Sequence, residues 1–406
     1  MTKRTLLQIN SVVNTGSTGR IAEDIGKVAI NHGWHSHIAH GRHGNRSESI
    51  TIKIGNKLNN YFHVINTRIF DNHGFSADLA TKSFIRKIEE LQPDIIHLHN
   101  LHGYYLNVKA LFEYLATKPI PIVWTLHDCW SFTGHCAYFD LVNCQKWKTE
   151  CSDCPQKNNY PASFVFDRSK ENYYLKKKLF NSLENLTLTP VSYWLKSLLA
   201  DSFLSDLPTK VMHNGIDLKK FTVKPSGNFK NKYKPNNEFV ILGVANPWSP
   251  RKGYADMLKL SKKVGEDEKI IMVGLDKDKA KGLPKNIIGI EKTESLDDLA
   301  KLYSLADVFI NPTYQDNFPT TNIEALACGT PIITYDTGGS PEAIDEHTGF
   351  VVSKGDINSL ALQIRKIKEL GKEHFTDACR KRAESLYDKE KKYLEYFNLY
   401  NQLLIS

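Results

Sequence analysis

The sequence predicts an α/β protein of two doubly wound domains, and three observations carry that expectation. Short apolar runs alternate with helical-period segments from residue 5 to 126, and the same style returns from 239 to 386. Such alternation builds a parallel sheet with helices on both faces. A chain of 406 residues suits two domains at roughly 100–200 residues each. Hydrophobic residues make up 41% and charged residues 24%, the balance of an ordinary globular protein. That balance excludes a disordered chain, a collagen and a disulfide scaffold.

In the first half, residues 5–9 form a short apolar run. Residues 20–32 carry Ile21, Ile25 and Val28 at helical spacing and end at Gly33, a suitable residue just past a helix. Residues 35–40 are a second strand candidate. Residues 83–91 are amphipathic, Pro93 stops them, and 94–99 are strand-like. Residues 108–116 read as helix and 120–126 as an apolar strand.

The second half opens with a strand at 239–244 and a helix at 254–264. Strands follow at 269–273 and 287–290. Residues 295–306 form a helix whose Ser295 and Asp298 fit an N-terminal cap. A strand at 307–311, a helix at 320–328 closed by Gly329, and a strand at 331–335 come next. Residues 356–370 and 372–386 are charged amphipathic helices. Residues 223–238, rich in Lys, Asn, Pro and Gly without a period, read as a surface loop near the boundary. The boundary falls near Pro208, giving domains over 1–208 and 209–386. In such sheets ligands bind beyond the carboxyl ends of the strands, here in a cleft between the domains. No internal sequence repeat is visible.

Lys and Arg number 53 and Asp and Glu 45, a net charge of +8. A modest basic excess suits an anionic small molecule, an anionic membrane surface or a nucleic acid, so charge alone does not choose. A transmembrane helix needs about 18 consecutive apolar residues, and the longest apolar runs, such as 239–245, fall far short. Lys3 and Arg4 precede a short apolar run that Gln8 and Asn10 interrupt, so the start reads as a first strand of a cytoplasmic protein.

Five of the seven cysteines lie in 129–154, which in a reducing compartment points to metal or buried thiols. Cys136, Cys144, Cys151 and Cys154 are separated by seven, six and two residues. Four thiolates suit a structural tetrahedral zinc that stiffens a polar loop. Free thiols, an iron–sulfur cluster and disulfides are the alternatives. Cys129, Cys328 and Cys379 read as packing residues.

The most informative stretch runs from Asn311 to Pro331. A buried strand ends at Pro312, a polar loop follows, and a helix begins near Pro319, where a missing N–H does no harm. The amides of Thr320, Thr321 and Asn322 then form an anion site. Asp316 and Glu324 flank it, eight residues apart. Two carboxylates beside an anion site make sense if they serve hydroxyls, since a carboxylate accepts two sugar O–H bonds.

This stretch resembles the nucleotide-sugar motif of glycosyltransferase family 4, a Glu-x7-Glu pattern with Asp316 at the first position and Glu324 at the second. Four further segments resemble the family. They are Gly16-Ser17-Thr18-Gly19, Asn214-Gly215-Ile216-Asp217 with Phe221, Arg251-Lys252-Gly253, and Gly338-Gly339-Ser340-Pro341-Glu342. The resemblance implies the GT-B fold, two Rossmann-like domains facing a cleft, the first completed by a C-terminal helix over 387–406. It implies a retaining transferase with no catalytic metal and a UDP- or GDP-linked sugar donor. Donor contacts then fall on Gly16, Ser17, Arg251, Lys252, Asn317, Phe318, Pro319, Thr320, Thr321 and Glu324. Asp316 contacts the transferred sugar, Glu324 the ribose, and Lys252 the growing phosphate charge. His127, after the strand at 120–126, hydrogen-bonds the donor sugar, unless it is a structural histidine satisfied by Asp128. His97 and His99 read as core or wall residues.

The segment from His127 to Gln156 resembles an insertion in bacterial exopolysaccharide transferases of the colanic acid type. That implies a glycan or polyprenyl-linked acceptor. Residues 173–180 form a basic, aromatic helix that would touch an anionic inner leaflet, or else an ordinary surface helix. The rivals are a GT-B sugar-nucleotide epimerase, which turns over donor without acceptor, and a dinucleotide oxidoreductase, whose Gly-x-Gly-x-x-Gly spacing Gly16–Gly19 lacks. A nucleic-acid-binding module finds no recognition motif here.

Overall fold

The computed structural model describes residues 3–225 and 227–405. It divides into two compact units, one running to His213 and resuming at Tyr393, the other spanning Asn214–Lys392. The division lies a few residues beyond Pro208 and Leu386.

The first unit contains β1 (Thr5–Asn10), α1 (Gly16–Asn31), β2 (His35–His40), β3 (Ile50–Lys53), α2 (Lys57–Phe70), α3 (Asp78–Leu91) and β4 (Ile95–Leu98). It continues with α4 (Val108–Leu115), β5 (Ile122–Leu126), α5 (Ser169–Phe180), β6 (Leu186–Pro190) and α6 (Tyr193–Ala200). The second has α7 (Asn228–Tyr233), β7 (Phe239–Val244), α8 (Tyr254–Leu260), β8 (Glu268–Val273), α9 (Lys277–Ala280), β9 (Ile287–Ile290) and α10 (Leu296–Leu305). Then come β10 (Val308–Asn311), α11 (Thr320–Ala327), β11 (Ile332–Tyr335), β12 (Gly349–Val352), α12 (Ile357–Leu370), α13 (Glu373–Leu386) and α14 (Lys389–Leu403).

The sheets run β3-β2-β1-β4-β5-β6 and β12-β11-β10-β7-β8-β9, and the pairings within both are parallel. Renumbered from its own first strand, the second sheet has the order of the first. This is the doubly wound order, with its switch point between the first and fourth strands. β4, β5, β10 and β11 are fully buried, as parallel strands covered on both faces must be. α10 starts as its sequence requires: Ser295 Oγ accepts from the Asp298 amide at 3.1 Å and donates to the Asp298 carboxylate at 2.9 Å.

From Tyr393 onward, α14 belongs to the first unit. Tyr393, Tyr396, Leu399 and Tyr400 are buried among Leu6, Ile25, Val28, Trp34 and Ile95. Polar contacts fix its register. Tyr400 OH meets His97 Nδ1 at 2.6 Å, and Thr125 Oγ1 lies 3.1 Å from Tyr396 OH. His97 is thus a core residue.

Residues 173–180 lie in α5, a surface helix with one buried face: Tyr174, Lys177 and Lys178 are exposed. In α5, Tyr173, Lys176, Leu179 and Phe180 are buried. Lys176 donates to the carbonyls of Trp130 and Thr133 at 2.7 and 2.9 Å and lies 3.5 Å from the centre of the Trp130 ring. The apolar face of α5 therefore supports the cysteine-rich loop. No helix among the described residues is long and apolar enough to cross a membrane.

Burial holds several histidines neutral. His63 is pushed down to about 3, and His73, His97 and His99 well below the usual range. A histidine lowered in the folded state takes up its proton on unfolding, so stability falls as pH drops below its unfolded value of about 6.5. For His63 that loss continues to about 3. A melting temperature that declines from pH 6.5 toward pH 4, with a shallower decline in His63→Gln, is the expected outcome of a thermal pH scan.

Candidate functional site

In the second unit the switch point lies between β7 and β10, and the predicted donor residues sit on the loops that leave these strands. After β7 the chain makes a tight turn over Pro250–Lys252. Gly253 follows with φ +75°, and a Cβ there would lie 2.1 Å from the Pro312 carbonyl oxygen. The glycine of Arg-Lys-Gly thus lets the two switch-point loops touch. Tyr314 N donates to Arg251 O at 2.8 Å, and Arg251 Nη1 donates to Gln315 O at 2.8 Å. The Lys252 ammonium pairs with the Asp316 carboxylate, both partly buried.

A third loop closes on these two. Gly338 has φ +56°, and a Cβ would lie 1.7 Å from the Asp316 carbonyl oxygen. Gly339 N donates to Asn317 O at 2.9 Å. α11 then begins after Pro319 with no side chain capping it, and uncapped first-turn amides are the kind of group that can receive an anion. Thr320, Thr321 and Glu324 are half-buried. Tyr303 OH donates to Glu324 Oε2 at 2.9 Å. Burial, then the Glu324 charge, push the Tyr303 hydroxyl well above the phenol range, so it stays a donor. Asn317 and Phe318 are buried, Phe318 against Tyr387 at 5.7 Å.

In the first unit Gly16 and Ser17 are exposed at the start of α1, which also has no side-chain cap. Gly16 has φ +61° and open space around its Cβ position. His127 follows β5 and is half-buried. Its Nε2 lies 3.3 Å from His99 Nδ1, and His99 Nε2 lies 3.1 Å from Gln8 Oε1. Gln8 Nε2 donates to Ala22 O at 2.7 Å, so its oxygen faces His99. His99 therefore carries its proton on Nε2, and its bare Nδ1 accepts from His127 Nε2. Burial lowers His127 to about 4 against the opposing charge of Asp128. His127 is left neutral with Nδ1 as an acceptor.

Asp128 does not satisfy His127 by a direct bond. Its Oδ2 lies 2.8 Å from His102 Nε2, and its Oδ1 accepts from Trp130 N at 3.0 Å. Burial raises the Asp128 carboxyl, but His102 and these hydrogen bonds outweigh it and hold it low. Sequence reasoning missed His102, Tyr303 and Gln315. Their roles depend on partners 21 to 64 residues away, and no local pattern marks them.

Cys136, Cys144, Cys151 and Cys154 line one cavity of about 10 Å³. Cys136 and Cys154 are hydrogen-bonded through their side chains. Among the described residues no group of three or more His, Cys, Asp or Glu side chains is placed to hold a metal ion. Metal analysis of the purified protein reads this cluster directly. About one zinc per chain means that the thiols close on an ion, and under about a tenth leaves them as packing thiols.

Two parallel sheets of one strand order, each with its loops gathered at the switch point, define an α/β protein of the GT-B class. The chain belongs to glycosyltransferase family 4: residues 18–220 match Glycosyltransferase Family 4, and residues 226–385 match Glycosyl transferases group 1. It is 26% identical to the putative colanic acid biosynthesis glycosyl transferase WcaC of Escherichia coli K12, over 98% of this chain and 100% of that one. Among solved structures it resembles sucrose-phosphate synthase from Thermosynechococcus elongatus. The TM-score is 0.74 at 17% identity, covering 99% of this chain and 100% of that one. It also resembles Anabaena HepE in complex with UDP, with a TM-score of 0.70 at 15% identity, covering 98% and 100%.

The loop contacts predict a graded response to alanine. Gly33 has φ +83° and nothing within 4 Å of its Cβ position. Gly33→Ala should cost about 1 kcal/mol for the left-handed backbone alone. Gly338→Ala adds the collision with Asp316 and should cost about 3 kcal/mol or more. Thermal unfolding of the two variants compares them, and equal losses would mean that the Gly338 contact is not tight.

Proposed function

We propose that the protein is a retaining glycosyltransferase that moves a sugar from a UDP- or GDP-linked donor to a glycan or polyprenyl-linked saccharide. Its setting is bacterial surface polysaccharide assembly on the cytoplasmic side of the membrane. The observation that carries this reading is the convergence of Arg251, Lys252 and the uncapped start of α11 on one switch point. The colanic acid role in the name of the Escherichia coli relative and the UDP held by HepE support it.

In the reaction the bond between the anomeric carbon and the β-phosphate oxygen breaks. The acceptor oxygen bonds to that carbon on the same face and gives its proton to the departing phosphate. Charge grows on the diphosphate as the bond opens. Lys252, Arg251 and the Thr320 and Thr321 amides are already oriented when it does, so they favour the transition state over the ground state. Glu324, oriented by Tyr303, accepts the ribose hydroxyls. Asp316 leaves Lys252 for the sugar as the phosphate takes its place. Neutral His127 accepts a hydrogen bond from a sugar hydroxyl, and Gly16 and Ser17 leave room for the sugar and diphosphate. No step calls on a catalytic metal.

Lys252→Ala and Glu324→Ala should each lower transfer at least roughly tenfold, the loss of a charged hydrogen bond, with melting temperature preserved. Unchanged turnover and donor affinity in Lys252→Ala would remove it from the site. A thermal-shift screen of nucleotide sugars should show a rise for one base, because a ligand bound only to the native state stabilises it. No shift with any UDP- or GDP-sugar would overturn the donor assignment.

A further inference from the structure

α2 is built inside out. Its buried side chains are the polar His63 and Thr67. Leu58, Tyr61 and Phe62 are 66%, 62% and 61% exposed, and Ile69 and Phe70 are exposed as well. A surface helix ordinarily turns its apolar stripe inward. Here the inward face is polar for a reason: His63 Nε2 accepts from Gly74 N at 3.1 Å, and Thr67 Oγ1 donates to His63 O at 2.9 Å.

The loop over residues 164–166 extends the same surface. Phe164 N donates to Arg68 O at 2.7 Å, and Phe166 N donates to Ile69 O at 3.0 Å. The Phe166 ring stacks on Phe70 at 5.7 Å, and the Arg68 guanidinium lies 5.8 Å from the Phe164 ring centre. Phe164, Val165 and Phe166 are all more than half exposed. Eight of the 21 exposed large apolar side chains among the described residues lie on these two short segments. That makes a patch rather than scattered surface residues, and a patch marks an interaction site.

The fringe of the patch is cationic. Residues 49–77 contain Lys53, Lys57 and Arg68 and a single acid, Asp71, which is buried against His135. Residues 155–166 contain Lys157 and no acid. Of the acids flanking these stretches, Asp153 is exposed and Glu48 pairs with Lys27 at 3.0 Å. Asp167 accepts from the amides of Cys154 and Ser169, and Asp78 pairs with Lys82 at 2.8 Å.

We propose that the outer face of α2, with the 164–166 loop, docks on the anionic surface of a lipid bilayer. The aromatic rings enter the boundary between headgroups and acyl chains while the lysines and arginine meet the anionic headgroups. A second copy of the chain suits this face poorly, because its cationic fringe would meet itself across a two-fold axis. The inference deepens the reading above and rests on it only for the lipid-linked acceptor; the binding itself needs no sugar transfer.

The test is flotation of the full chain with vesicles of phosphatidylcholine alone and with added phosphatidylglycerol. The chain should float with the anionic vesicles, and less at high salt. Lys57→Gln and Arg68→Gln should each weaken binding about fivefold. Tyr61→Ser with Phe62→Ser and Phe166→Ser should abolish it while the melting temperature holds, since the removed rings are exposed. Tyr174→Ser with Lys177→Gln, on the outer face of α5, should leave binding unchanged. No flotation of the wild type, or equal flotation of the triple variant, overturns the proposal. So does a dimer by light scattering that the triple variant dissolves without any vesicle binding. Transfer to a water-soluble acceptor should survive in the triple variant. Vesicle binding without any transfer activity would sink the transferase donor reading and leave the membrane face standing.

Discussion

Asn322 is fully buried, and its side-chain amide closes a ring of hydrogen bonds through three other segments. Asn311 Nδ2, at the end of β10, donates to Asn322 Oδ1 at 2.8 Å. Asn322 Nδ2 donates to Ser340 Oγ at 2.9 Å. Thr334 Oγ1, on β11, donates to Asn311 O at 3.0 Å, so the Ser340 hydroxyl gives its own proton to Thr334 at 2.6 Å. Each buried polar atom in the ring is satisfied, and removing one would strand the others at about 1–3 kcal/mol each. The ring ties the strand end, the start of α11 and the Gly338 turn into one rigid frame, and the Arg251–Lys252 turn is bonded to the loop inside it through Tyr314 and Gln315.

Rigidity of this kind is what electrostatic catalysis needs. Lys252 and Arg251 are long, flexible side chains that would be solvated and mobile on an open surface. Here Asp316 and the Gln315 carbonyl hold them in place. Glu324 is held in the same way by a tyrosine that burial keeps protonated. In the first unit, the Gln8–His99–His127 chain sets the tautomer of a histidine by relay from a buried glutamine. In each unit a side chain proposed to meet the donor, Glu324 or His127, is oriented by one that is not.

The fold class was legible because parallel strands buried on both faces leave continuous apolar runs. The strands predicted at 35–40, 239–244 and 287–290 appear with those limits. β3, β6 and β12 escaped notice, β12 being the four-residue edge strand Gly349–Val352 of the second sheet. Ile50–Lys53 is a short edge strand, mostly exposed, and Leu186–Pro190 alternates with threonine and ends in proline. α2 was illegible for a different reason: its apolar residues face outward, so the rule that reads a buried stripe finds the wrong side. At residues 173–180 the sequence shows three consecutive lysines, of which the fold buries Lys176 and leaves Lys177 and Lys178 exposed.

The sequence by itself determined which residue types stand at the switch-point loops, because glycine, lysine and carboxylate chemistry there is carried by short contiguous motifs. It also determined the alternation that dictates parallel sheets. Only the tertiary structure decided that the two sheets share one strand order, which no sequence repeat announces. Only it decided that His102 rather than His127 pairs directly with Asp128, that Tyr303 orients Glu324, and which helix shows its apolar face to solvent. These outcomes depend on contacts between residues far apart in the chain, and burial and hydrogen bonding are properties of the folded neighbourhood rather than of any local stretch.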